Sequence, residues 1–200
     1  GEAIRVPAAG VGSIPASGVT AVAANVTAVD ASQPNYITAY PGTTARPGTS
    51  NLNGGPGRPV PTLVVMGVGA DGTSEVFNAR GTAHCLVDVF GYYTESSGER
   101  FTALAPARLF DTRNAQGIRG GKVPTGEQIE VQVAGLAGVP ASGATAVVMN
   151  LTVTEADSMG WMKVGPAGSA TNTSNVNFFP GDTVPNLVIT KLGTGGRVTV

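Results

Sequence analysis

Residues 14–27 read IPASGVTAVAANVT, and residues 139–152, 125 positions on, read VPASGATAVVMNLT. A chain of 200 residues with such an echo is built from two copies of one unit. Laying Gly1 on Gly126 pairs GEAIRV with GEQIEV. After a one-residue gap, TSNLN at 49–53 meets TSNVN at 173–177, and PGRPVPTLVV at 56–65 meets PGDTVPNLVI at 180–189. Roughly 30 of 75 aligned positions agree, which predicts one shared fold for a first unit over 1–100 and a second over 101–200.

The period inside the repeat is two. Val147, Met149, Leu151 and Val153 alternate with Val148, Asn150, Thr152 and Thr154, and Val22, Ala24, Val26 and Ala28 repeat the pattern. Such alternation sends successive side chains to opposite faces of a sheet. Just upstream of both, Pro-Ala-Ser-Gly is a turn: Pro presets φ, and Gly accepts the positive φ that other residues resist. Further short runs bounded by Gly and Pro are YITAYP, TLVVMGVG, TSEVFNA, HCLVDVFGYY, FTALAPARLF and QIEVQVAG, and no convincing helical period exceeds two turns. Eight or nine strands per unit are expected, in an all-β chain of tandem β-sandwiches with jelly-roll-like crossings; a closed barrel is the second choice.

The two units are cut at different places. FNARGTAHCLVDVFGYYTESSGER follows Val76 but nothing like it follows Val200, whereas 101–125 has no counterpart before Gly1. The first unit is therefore expected to lack N-terminal strands and the second C-terminal ones. With HCLVDVFGYY as a central strand, apolar on both faces except for Asp88, an empty slot exposes roughly 600 Å² of core, at most some 15 kcal/mol. That rivals a whole domain's stability of about 5–15 kcal/mol. The slot can be filled by further chain, by a strand from another molecule, or after residues 101–125 fold back to complete the first unit. The last two routes make a head-to-tail polymer. Its assembly strands would be those of Leu86, Val87, Val89 and Phe90, and of Leu104, Leu109 and Phe110.

Charge bounds the partners. Only 12% of residues are charged and the net charge is -1, against about 25% charged in ordinary domains. Scattered Lys and Arg form no basic face, which excludes nucleic acid on electrostatic grounds and leaves self-association unopposed. The longest apolar runs, such as 63–66, fall far short of the roughly 20 residues of a membrane helix. The single cysteine, Cys85, cannot form an intrachain disulfide and reads as a small buried hydrophobe.

Four segments together, FTALAPARLFDTR, GVPASGATAVVMNLTVTEA, SNVNFFPGDTVPNLV and GTAHCLVDVFGYYT, resemble a repeat found in secreted and cell-surface proteins of actinobacteria, in tandem or beside cell-wall-active modules. The resemblance spans essentially the whole chain. It implies export, an all-β repeat and a surface role, with no enzymatic activity attached to the repeat. Cys85 stands where an aliphatic residue is expected, and NLNGGPGRPVP lacks the aromatic pair Phe178-Phe179 of the second unit.

Individual residues offer few sites. Asp111 and Arg113 can bind a carboxylate or a sugar, since Arg presents a planar fork and Asp accepts hydroxyl donors, or they can tie down a turn. His84 and Asp88 share a strand face, but with no second His and no nucleophile spaced to use this one, no metal, cofactor or catalytic residue is assigned. Asn25, Asn150 and Asn172 begin glycosylation-like triplets; the first two lie inside strands, where hydrogen bonding is the simpler role. Tyr36 and Trp161 hold equivalent places, where an exposed ring can stack on a sugar and a buried one is core. The sequence thus points to a non-enzymatic extracellular structural protein that assembles end to end with itself into a fibre. The alternative is a glycan- or cell-wall-binding module. A hydrolase would need an acid/base pair, and no spacing picks one out.

Overall fold

A computed structural model describes residues 1–96, 98–170 and 172–200. The chain divides into two compact units, Gly1–Glu99 and Arg100–Val200.

The first unit holds β1 (Glu2–Pro7), β2 (Val19–Val29), β3 (Asn35–Pro41), β4 (Leu52–Gly54), β5 (Val60–Gly67), β6 (Thr73–Asn78) and β7 (His84–Thr94). They form two antiparallel sheets ordered β1-β6-β3-β4 and β5-β2-β7. Only β3 and β4 are successive neighbours in one sheet; every other connection crosses to the opposite sheet. The turn before β2 forms as its sequence requires: Gly18 has φ +76° and its equivalent Gly143 +83°. Val22, Ala24, Val26 and Ala28 of β2 then join Ile37, Leu52 and Val76 of the other sheet in one core. Because β2 is flanked on both sides, Ala23, Asn25 and Thr27 on its other face are buried too.

The second unit holds β8 (Glu130–Gln132), β9 (Ala146–Thr154), β10 (Gly160–Met162), β11 (Gly165–Pro166), β12 (Val176–Phe178), β13 (Thr183–Lys191) and β14 (Arg197–Thr199). Its pairings β8–β14, β14–β11, β10–β12 and β9–β13 match β1–β6, β6–β3, β3–β4 and β2–β5 of the first unit. The counterpart of β3 is split into β10 and β11. Val131, Leu151, Val153, Val176, Val188 and Val198 form the core.

Three expectations are corrected. FTALAPARLF is not a strand, so among the described residues seven strands stand in each unit. Pro106 interrupts that stretch and offers no N–H to a ladder. Residues 101–125 do not complete the first unit: Leu109, Phe110, Ile118 and Val123 pack on the core of the second, while Phe101 and Leu104 stay exposed. HCLVDVFGYY is an edge strand, not a central one. Leu86, Val89, Tyr92 and Tyr93 are exposed, while Val87 and Cys85 pack on the core. A missing edge strand with one wet face uncovers far less apolar surface than a central one: Leu151 and Val153 stay buried, while Val147 and Met149, the counterparts of the fully buried Val22 and Ala24, are only partly so.

Candidate functional site

The most distinctive feature of the second unit is the free side of β9. In the first unit β2 pairs with β5 on one side and β7 on the other, with Val22 opposite Tyr92, Asn25 opposite Asp88 and Val26 opposite Val87. β9 pairs with β13 through nine uninterrupted residue pairs, Ala146–Lys191 to Thr154–Thr183. Among the described residues no strand lies on its other side. Asn25 is 0% exposed, whereas Asn150 is exposed, as are Val148 and Thr152. Both asparagines donate to the threonine two residues on, Asn25 to Thr27 at 3.4 Å and Asn150 to Thr152 at 3.2 Å.

Other long edges carry the devices that discourage pairing. β1 contains Glu2, Arg5 and Pro7, β5 contains Pro61, and β13 contains Pro185 and ends on Lys191. β7 meets β2 with two register shifts and carries Asp88. β4, β8, β10 and β12 are three residues long. β9 reads AVVMNLTVT, with no charge, proline, glycine or register shift.

Asp111 and Arg113 form a tied turn. Asp111 pairs with Gln116 as an isolated bridge. Its Oδ1 accepts from the Arg113 backbone N–H and Nε, both at 3.0 Å, and its Oδ2 accepts from Arg113 Nη2 at 2.7 Å and Arg108 Nη1 at 2.6 Å. The carboxylate is 8% exposed and its hydrogen bonds with Arg113 hold it far below the ordinary carboxylate range. Both oxygens are taken up within the turn, an arrangement suited to fixing Leu109 and Phe110 against the core.

Sequence reasoning missed a second polar row. Arg5, Glu75 and Tyr40 are opposite one another on β1, β6 and β3. The buried Tyr40 hydroxyl donates to Glu75 Oε2 at 2.7 Å, and Arg5 donates to Oε1 at 3.2 Å. Tyr40 lowers the Glu75 pKa, and Glu75 raises that of Tyr40. Only strand register brings the three together.

Tyr36 and Trp161 diverge. Tyr36 is half-buried against Phe77, ring centroids 6.3 Å apart, with Arg46 lying 4.2 Å over the Phe77 ring. Trp161 is 59% exposed, which overturns the core reading for it. Its indole lies beside Lys163, Asn172, Thr173 and Ser174 around an open depression of about 410 Å³, and the Lys163 ammonium sits 5.8 Å over the ring. The loop forming this wall is pinned at its foot by Asn175, which is 1% exposed. Asn175 Oδ1 accepts from the Val164 N–H at 2.6 Å, its own N–H donates to Met162 at 2.9 Å, and its carbonyl accepts from Asn186 at 2.7 Å. Asn51 does the equivalent work in the first unit, accepting from Ala39 at 2.7 Å and donating to Ile37 at 2.8 Å. The repeated TSNxN motif is therefore a loop anchor.

His84 is exposed at the start of β7. Among the described residues no three His, Cys, Asp or Glu side chains are grouped to hold a metal, and no helix is long and apolar enough to cross a membrane. Compared with protein-family models, curated proteins and solved structures, the chain matches none of them.

Proposed function

We propose that this is a non-enzymatic structural protein of the cell exterior whose units join end to end: the free edge of β9 takes a strand of the β7 pattern from another molecule of the same kind, building a surface fibre. The carrying observation is the unguarded edge, nine uncharged residues whose counterparts in β2 of the first unit are flanked by β7. Transferring the β2–β7 register by 125 positions places Tyr92 opposite Val147, Asp88 opposite Asn150 and Val87 opposite Leu151. The low charge supports the reading by removing repulsion between molecules.

Magnitudes predict concentration-dependent assembly. Nine cross-strand pairs on β9 at about 0.2–1 kcal/mol each give about 2–9 kcal/mol. A donor β7 gives up a similar set of pairs with its own β2 and association costs roughly 4–15 kcal/mol, so growth is expected only at high protein concentration. Light scattering over a concentration series, with negative-stain microscopy, tests it. Growing particles that a synthetic peptide of residues 84–94 caps are expected. A monodisperse monomer at every concentration sinks the reading. So does a dimer that never grows, the signature of two β9 edges pairing with each other.

A further inference from the structure

Independently of assembly, we infer that the depression beside Trp161 is a carbohydrate-binding platform for a pyranose ring of an oligosaccharide. A sugar presents an apolar C–H face and a rim of hydroxyls, so its site needs a flat exposed aromatic beside polar groups that exchange hydrogen bonds. Trp161 supplies the plane: it stands on β10 paired to β12 through Asn177, which fixes its backbone. Asn172, Thr173 and Ser174 supply an amide and two hydroxyls along one wall, and Lys163 supplies an ammonium donor. Two features argue for a built site. The wall is held by the buried Asn175 anchor rather than left to a loose loop. The Lys163 ammonium lies 5.8 Å from the ring centroid, within the roughly 6 Å of a cation–π contact, which sets a charged donor beside the stacking plane. At the equivalent place in the first unit Tyr36 is half-buried against Phe77, so its ring offers less of a face for stacking than Trp161.

Trp161 is the sole tryptophan of the chain, so tryptophan emission reads this site alone. Titration with maltotriose, cellotetraose and chitotriose should give a saturable change in emission with at least one of them. Calorimetry on Trp161→Ala should show about a tenfold or greater loss of affinity, and Thr173→Ala a smaller one, with the far-ultraviolet spectrum of both unchanged. A Val148→Lys/Thr152→Lys variant, altered only at the β9 edge, should bind the same sugar unchanged. No saturable signal up to the solubility limit of all three sugars overturns the inference. So does a signal that disappears in the β9 variant, which would mark Trp161 as a reporter of self-association. Wild-type affinity in Trp161→Ala overturns it as well.

Discussion

Replacing Asn175 by alanine strips the Val164 N–H of its acceptor inside the second unit, and a buried donor left unmet costs about 1–3 kcal/mol. Asn51 makes the same bond to Ala39 but is exposed, so water can replace it. Urea unfolding of Asn175→Ala and Asn51→Ala should therefore show the larger loss in the second unit. The carboxylates set the pH response. Asp111 is held low by Arg113, and Glu75 by Tyr40 and Arg5. Their contributions to stability are complete above the unfolded carboxylate pKa, about 4, and fade as pH falls through the depressed folded values. Tyr40, raised chiefly by Glu75, stabilises below the ordinary phenol pKa and ceases to as pH climbs through its raised value. Asp88 runs the other way: burial raises its pKa, so its charged form opposes folding at neutral pH. Asp88→Asn should raise the melting temperature at pH 7 and lose that advantage in acid, checked by scanning calorimetry at both pH values. The repeat marked both anchoring asparagines, yet their role lay out of sight. The partner of Asn175 is eleven residues away and meets it only once β10 and β12 have paired.

Among the elements, period-two alternation located β2 and β9 from sequence, and the Pro-Ala-Ser-Gly turn located their starts. FTALAPARLF misled because its apolar residues do not alternate strictly and Pro106 sits among them. The place of HCLVDVFGYY at an edge was equally hidden, since its own pattern cannot reveal that no strand lies beyond it. The contrast between edges is testable on the strand concerned. Lysines at the exposed Val148 and Thr152 should abolish assembly in sedimentation velocity while leaving the thermal transition of the second unit within about 0.5 kcal/mol of wild type, as for ordinary surface changes. Assembly that survives both lysines would shift attention away from β9.

At the scale of the whole molecule the tyrosines and the tryptophan are partitioned. Tyr36, Tyr40, Tyr92 and Tyr93 all lie in the first unit and Trp161 in the second. Tyrosine and tryptophan signals should therefore follow separate unfolding transitions. The tryptophan transition is expected first, because among its described residues the second unit has no equivalent of the eleven-residue β7. Coincident curves would show the two behaving as one cooperative block. The register shifts of β7 against β2 and its acidic Asp88 have a wider implication. A kinked, carboxylate-bearing ribbon admitted alongside β9 presents an outer margin that is a poor template for the next, so widening stops after one addition. Thin threads that leave thioflavin T dark are the expected product, rather than amyloid.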